Sequence, residues 1–291
     1  MFRLGETEEA LATCSDALNR ADDFAGEDVR YLGEALFCMG TIHNVRRELD
    51  VADTYLTQAI DVQVAEFGED YPPLLIVRHD LANIYWARGE YEQAIIALRD
   101  LEQRQSRLLG PDHADIGRTL ISIASSQWGM EQLDEAEATT WRAIELMQKT
   151  LAPNHRRFGQ TYYMLAGIAR ERYDYETSNR LYQKTLEIQR EVSEPDDPDL
   201  GNTVAEYAIS LEAMARYEEA ADALRESIAM QERSLGKNHL WVALSLGQLG
   251  DVIATLGRTA EGIAIAEDGL ARAIESAGTD HHHTMTIRRY L

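Results

Sequence analysis

Cysteine, proline and lysine are scarce in this sequence, and each scarcity narrows the class of protein. The 291 residues include two cysteines and six prolines, and lysine occurs only at positions 149, 184 and 237. Two cysteines, Cys14 and Cys38, are too few for a disulfide framework and are typical of a reducing compartment, with Cys14 expected as a buried thiol. Few prolines and few β-branched runs favour helices over strands.

Long hydrophobic runs and positive charge are lacking as well. The longest aliphatic run covers residues 74–77, which is far short of a membrane span, and we expect no signal peptide because no apolar core follows the first residues. The formal net charge of −22 makes the surface repel nucleic-acid phosphates and anionic lipids. We therefore expect a cytoplasmic protein that binds neither nucleic acid nor membrane.

A period of 42 residues runs through the chain. The turn Leu-Gly-Pro-Asp-His at residues 109–113 recurs in related form at residues 151–155 and again at residues 235–239. A small residue keeps the same register without insertion or deletion, at Ala10, Ala52, Ala94, Ala136, Ser178, Ala220 and Gly262. Two markers that stay in phase along the whole chain predict a repeat architecture.

Each repeat is predicted to form two helices, here named helix A and helix B. Ile76, Leu81 and Ile84 show the helical spacing of apolar residues in one helix A. The small residue lies near the start of helix B, where it lets two helices cross closely. The predicted N-caps of helix A are Asp70, Asp112, Asn154, Asp196, Asn238 and Asp280. The fold class expected is an all-α, right-handed superhelical solenoid of helix-turn-helix repeats.

This pattern resembles the tetratricopeptide repeat, in the longer variety typified by kinesin light chain. In the second unit, helix A carries Leu81, Ala82 and Tyr85, and helix B carries Ala94 and Leu98. The resemblance covers essentially the whole chain and implies one solenoid domain. Its predicted parts are a half repeat with helix B only at 1–24, six repeats at 25–67, 68–109, 110–151, 152–193, 194–235 and 236–277, and a half repeat with helix A only at 278–291.

The two predicted half repeats have no polar capping helix to cover their apolar faces. We interpret the chain as a piece excised from a longer protein. Apolar side chains at these ends are then expected to promote end-to-end self-association. The side chains concerned are Leu4, Leu11, Leu18, Met285 and Leu291.

Sequence motifs for catalysis, phosphate binding and metal binding are missing. Histidines recur at the same repeat position, but one per unit, so two of them are too far apart to ligate one ion. We interpret them as turn-stabilising imidazoles; they are His113, His155, His239 and His281. The chain is therefore predicted not to be an enzyme and to hold no cofactor or metal.

In tetratricopeptide arrays helix A of each unit lines a concave groove, and the resemblance implies the same here. The second to fourth units place aromatic and arginine side chains there, whereas the fifth and sixth units place carboxylates. Aromatic residues and arginine are frequent at binding hot spots. The predicted peptide-binding residues are His79, Asn83, Trp86, Arg118, Ile121, Ser125, Trp128, Gln160, Tyr163, Arg170, Glu206, Glu212 and Asp251. Alternatively, Trp86 and Trp128 fill space between successive A helices.

The predicted function is a non-catalytic scaffold whose partner is a protein or peptide in the groove. An alternative is a regulatory or sensor array from a larger bacterial signalling enzyme, such as a serine/threonine kinase, a nucleotide-binding ATPase or a caspase-like protease. A third interpretation is a receptor for short signalling peptides. The fold by itself does not distinguish these functions.

Overall fold

The computed structural model describes residues 4–23, 29–194 and 196–290, and it is helical without strands in these ranges. A short 3₁₀ helix, Arg288–Tyr290, follows the last α-helix. The α-helices are α1 Leu4–Asp23, α2 Val29–Val45, α3 Leu49–Phe67, α4 Leu74–Ala87, α5 Tyr91–Leu109, α6 Ala114–Gly129, α7 Leu133–Gln148, α8 Arg156–Glu171, α9 Tyr175–Val192, α10 Pro198–Ala213, α11 Tyr217–Leu235, α12 Leu240–Thr255, α13 Thr259–Ala277 and α14 His282–Ile287.

The even-numbered helices are A helices and the odd-numbered helices are B helices. From α3 to α13 every B helix begins 42 residues after the previous one, and from α6 to α14 the A helices do the same. Each A helix from α2 to α12 packs against the B helix that follows it. The prediction of an all-α solenoid of helix-turn-helix repeats is confirmed.

The chain divides into two compact units, residues 1–151 and 152–291, and each is described by itself. In the first unit Leu36, Leu56 and Ile84 belong to one buried apolar cluster. In the second unit Leu211 and Val252 belong to another. In both units the A and B helices therefore share a core between them, and side chains elsewhere on the A helices remain available for contacts.

The small residue of each B helix is a packing residue, as the sequence predicts. Its side chain is completely buried at Ala52, Ala94, Ala136, Ser178 and Ala220. The corresponding crossing of α12 and α13 is tighter still. A Cβ atom on Gly262 would lie 2.4 Å from the carbonyl oxygen of Gly250, so only glycine fits there without a shift of the backbone.

From α6 onward the predicted N-caps of the A helices are wrong by one residue. The side chain that accepts a hydrogen bond from the first helical turn belongs to the following residue, as in His113, whose Nδ1 lies 3.2 Å from the backbone nitrogen of Asp115. The same cap is formed by His155, Asp197, His239 and His281. Helix α4 begins after Pro73 without a side-chain cap. The interpretation of these histidines as turn-stabilising groups is confirmed.

The residues predicted as caps instead join the two ends of a helical hairpin. Asp70 contacts Arg107 at 2.6 Å, and Asp112 contacts Lys149 at 2.7 Å. Two further contacts repeat this one at the same separation of 37 residues, between Asn154 and Glu191 and between Asp196 and Arg233. We call these four contacts the hairpin clamps. They are exposed, so each contributes at most about 1 kcal/mol.

The expectation of free thiols is also wrong. Cys14 of α1 is bonded to Cys38 of α2 in a disulfide, and Cys14 is buried. Helices α1 and α2 pack against each other, which brings the two side chains together. The repeat register predicted the burial of Cys14 correctly, but not its covalent partner.

Candidate functional site

In the first unit, α4 and α6 place the predicted groove residues at helical spacing on one side of each helix. On α4 these are residues 79, 83 and 86, and on α6 they are residues 118, 121, 125 and 128, so each set forms a stripe. The two helices contact each other. We call this surface the tryptophan face; it consists of Ile76, Asn83, Trp86, Arg118, Ile121, Ser125 and Trp128.

Large apolar side chains reach solvent on the tryptophan face. Trp86 is 44% exposed and Ile76 is 51% exposed, whereas Trp128 is partly buried. An indole exposed to this degree does not fill the core, so the alternative interpretation fails for Trp86. Ile76 was not among the predicted peptide-binding residues, although the register places it in the groove at the same repeat position as Arg118 and Gln160.

His79 lies beneath this face and not on it. Its ring is buried, with Nε2 3.2 Å from the hydroxyl of Ser122 and Nδ1 3.1 Å from the side-chain nitrogen of Asn83. The imidazole thus links α4 to α6 and holds Asn83 in place. Of the residues predicted in this unit, His79 is positioned to support the surface from beneath.

In the second unit, several predicted residues bond to side chains of neighbouring helices. Arg170 of α8 forms an ion pair with Glu206 of α10, and the hydroxyl of Tyr182 lies 3.4 Å from the same carboxylate. Asn202 donates a hydrogen bond of 3.1 Å to the hydroxyl of Tyr163. Charge-assisted contacts of this kind fix the positions of side chains between adjacent helices. We call this surface the paired face; it consists of Gln160, Tyr163, Arg170, Glu206, Glu212 and Asp251.

The pKa values of the paired face reflect its burial. Burial, reinforced by the Glu206 carboxylate, raises the pKa of Tyr163 to about 12. Burial also raises the pKa of Glu212, against a 3.0 Å hydrogen bond from Gln248, and the nearby charge of Asp251 adds to the increase. Glu212 is therefore a carboxylate that a positive group of a partner would stabilise.

A cavity of about 240 Å³ lies beside the paired face, between α8, α9 and α10. Two predicted residues, Gln160 and Tyr163, line it. The sequence interpretation missed the other polar residues in its wall, which are Gln189, Asp199, Asn202 and Thr203.

In the described parts of the chain no group of three His, Cys, Asp or Glu residues is arranged to hold a metal ion. In those same ranges no helix has the length and apolar character needed to cross a bilayer.

A tandem array of helical hairpins with patterned A-helix surfaces defines a helical-repeat protein. A family model for the tetratricopeptide repeat matches residues 31–103, 157–233 and 201–275, which together cover more than half of the chain. The chain belongs to the tetratricopeptide repeat family, and its array is of the kinesin-light-chain-like type. Proteins of this family are generally non-catalytic scaffolds that bind other proteins.

The chain resembles Protein KINESIN LIGHT CHAIN-RELATED 1 of Arabidopsis thaliana, with 30% identity over 163 residues. That match covers 54% of this chain and 26% of the plant protein, so the chain spans about a quarter of this relative. Among solved structures, BtubC (BKLC) from P. vanneervenii has a TM-score of 0.66 at 16% identity, with 79% of this chain and 92% of that chain covered. A Rap protein complexed with Competence and Sporulation Factor has a TM-score of 0.66 at 14% identity, with 97% and 75% covered. At these identities the structural likeness is one of fold.

Proposed function

We propose that this chain is a non-catalytic scaffold that binds a protein or peptide segment along its A helices. The observation that carries the proposal is the tryptophan face, where Trp86 of α4 is 44% exposed and the partly buried Trp128 occupies the same repeat position on α6. Exposed aromatic and arginine side chains in one patch are the residue types that dominate binding energy at protein interfaces. In the same patch the Nε atom of Arg118 is buried without a hydrogen-bond partner.

The chemistry of the two faces differs, and so do the partner residues that they favour. The tryptophan face favours aromatic, aliphatic or acidic side chains, because it offers indole rings, Ile76 and the guanidinium of Arg118. The paired face favours basic side chains, because Glu212 and Asp251 are carboxylates close to each other. Opposite charges across an interface contribute more to specificity than to affinity.

The test is a selection of binding segments from a displayed peptide library with the full chain as bait. The dissociation constant of each selected peptide is then compared for the wild type, for the variant Trp86→Ala with Trp128→Ala, and for Trp141→Ala. Trp141 is a matched control, because it is 43% exposed but lies on the B helix α7. We expect the double variant to lose about thirtyfold in affinity, as for loss of an interface hot spot, and the control to bind as the wild type does.

Two results would contradict the proposal. Selected peptides that bind all three proteins equally would exclude the tryptophan face as the site. An unfolded double variant, identified by loss of helical circular dichroism, would instead show that Trp128 belongs to the core. The single variant Trp86→Ala then provides the binding comparison, since Trp86 is the more exposed of the two.

The alternative function, a regulatory array within a larger signalling enzyme, stays a prediction. The coding sequence that adjoins this segment distinguishes the two, because a kinase, ATPase or protease domain would have its own motifs.

End-to-end self-association also stays a prediction. Met285 of α14 is 48% exposed, whereas Leu11 and Leu18 are partly buried, and the side chains of Leu4 and Leu291 lie outside the described residues. A cytoplasmic location stays a prediction too, and the disulfide removes the argument from cysteine content.

A further inference from the structure

A buried hydrogen bond between a glutamine and a hydroxyl recurs where one repeat meets the next. Gln105 of α5 accepts a hydrogen bond of 2.7 Å from the hydroxyl of Thr119 in α6. In the second unit Gln231 of α11 accepts one of 3.0 Å from Ser245 in α12. Both pairs are 14 residues apart, and all four side chains are buried. These two junctions thus satisfy the glutamine with a hydroxyl of the next A helix, whereas the equivalent Gln63 faces no such hydroxyl, because Val77 stands at that position, and its side-chain oxygen is buried without a partner.

At the junction of α9 and α10 the equivalent glutamine and hydroxyl do not bond to each other. Gln189 and Thr203 occupy the equivalent repeat positions, but the Thr203 hydroxyl donates to the backbone oxygen of Asp199 at 2.9 Å. The side-chain oxygen of Gln189 is buried without a hydrogen-bond partner. Both residues line the cavity of about 240 Å³ between α8, α9 and α10. An unpaired acceptor in the wall of a cavity calls for a donor from outside the chain.

The charges around this cavity determine which donor fits. An adjoining cavity, which shares Gln160, Gln189 and Asp199 with it, is lined by three carboxylates, those of Glu194, Asp197 and Asp199, and by a single guanidinium, that of Arg156. The excess of negative charge excludes anions and favours a cation. Partial burial, together with repulsion from Asp197, raises the pKa of Asp199, and a bound cation would relieve both effects.

We propose that this cavity is a binding subsite for an arginine side chain of the partner segment. The planar guanidinium has several N–H donors in a fixed fork, which suits a carboxylate and an amide oxygen at the same time. One edge donates to the side-chain oxygen of Gln189, which turns toward the cavity when the guanidinium binds, and the other donates to the carboxylate of Asp199. The proposal rests on the proposed binding function, because Gln160 and Tyr163 of the paired face also line the cavity. It specifies one residue type that the partner carries.

The test uses the full chain and a small probe in place of the unidentified partner. N-acetyl-argininamide is titrated against the protein, with N-acetyl-citrullinamide as the neutral probe of the same shape. The NMR signals of the side-chain amides of Gln160, Gln189 and Asn202 report binding. We expect the charged probe to shift these signals in a saturable manner and the neutral probe to leave them in place. Equal responses to both probes, or no response to either, would overturn the proposal.

Two variants and one control assign the effect to the cavity. Gln189→Met introduces the residue that the third repeat has at the same position, Met147, and removes the acceptor without changing the packing volume greatly. Asp199→Asn removes the charge. We expect each to weaken binding of the charged probe about tenfold, as for loss of a charge-assisted hydrogen bond. The control Glu187→Gln removes an exposed charge of α9 outside the cavity and should bind the probe as the wild type does.

Failure of this proposal and failure of the proposed function give different results. The tryptophan variants alter only the first unit, and the cavity lies in the second. Loss of peptide binding in the tryptophan variants without any response to the arginine probe would refute the subsite alone. A normal response to the probe with unchanged peptide binding in those variants would refute the tryptophan face alone.

Discussion

The A helices of the two units present the same repeat positions with different chemistry. On the tryptophan face Trp86 and Ile76 are exposed to solvent. On the paired face Arg170, at the same repeat position as Trp86 and Trp128, forms an ion pair with Glu206 of the next A helix. The comparison teaches that register specifies where a side chain lies, whereas its neighbours decide whether it is free to bind a partner.

The largest effect on stability is expected from a substitution in the helix packing that carries the repeat architecture. Ala136 is completely buried at the crossing of α6 and α7, so Ala136→Trp overpacks this crossing and should cost about 3 kcal/mol of unfolding free energy. The control is Ala138→Trp, because Ala138 is exposed on the same helix. Urea denaturation measures both. An unchanged midpoint for Ala136→Trp would show that the tryptophan face is not built on the repeat register.

The second effect tests whether the paired face is held together internally. Glu206→Gln leaves the guanidinium of Arg170, whose side chain is 26% exposed, without its charged partner. The loss should be about 1–3 kcal/mol of unfolding free energy. The control is Glu226→Gln, because Glu226 and its partner Arg190 are 48% and 54% exposed, and loss of such an exposed pair should cost less than about 1 kcal/mol. Equal losses would mean that the paired face is no more fixed than the general surface.

The glutamines at two equivalent junctions predict that the same substitution, glutamine to methionine, has different effects on stability. Gln231→Met leaves the buried hydroxyl of Ser245 without its acceptor and should destabilise the chain by about 1 kcal/mol. Gln189→Met removes an acceptor that has no partner and should leave stability unchanged or raise it by a similar amount. Thermal denaturation of the two variants in parallel measures the difference. Destabilisation by both would show that Gln189 is satisfied like its counterparts.

Sequence reasoning predicted the frame of the molecule well, because the frame depends on local pattern. The 42-residue period, the alternation of helices and the burial of Ala94 all follow from spacing and side-chain size. The caps were misassigned because aspartate ranks above histidine as an N-cap, and yet His113 holds the cap position. Asp112 bonds to Lys149 instead.

The candidate site was less predictable, because its properties depend on contacts between helices. Arg170 and Glu206 lie 36 residues apart, and only the packing of α8 against its neighbours makes them partners. The cavity was missed for the same reason. One signal was present in the sequence, since glutamine and a hydroxyl residue recur 14 residues apart at three junctions of the register. The spacing does not show which of these pairs lacks its hydrogen bond, because this depends on how the helices pack.

The smallest effect concerns pH and the caps of the A helices. Burial lowers the pKa of His239 below its ordinary value of 6.5, and its Nδ1 accepts a hydrogen bond from the backbone of Trp241. The unfolded chain therefore takes up a proton at higher pH than the folded chain, so this stabilisation is present above about pH 6.5 and is lost below it. His239→Asn keeps a capping acceptor without titrating. Urea midpoints between about pH 7.5 and pH 5 should fall further for the wild type than for this variant.

The hairpin clamps have a consequence for how such a chain can change in length. Each clamp joins the turn before an A helix to the end of the B helix in the same repeat, 37 residues later. The start and the end of a repeat are therefore neighbours in space, and the contact that joins them is formed by residues of that same repeat. In-frame duplication or deletion of a whole repeat therefore adds or removes a complete hairpin together with its own clamp. Gene duplication can thus lengthen or shorten the array in steps of one repeat, while point mutation on the A helices changes what each repeat recognises.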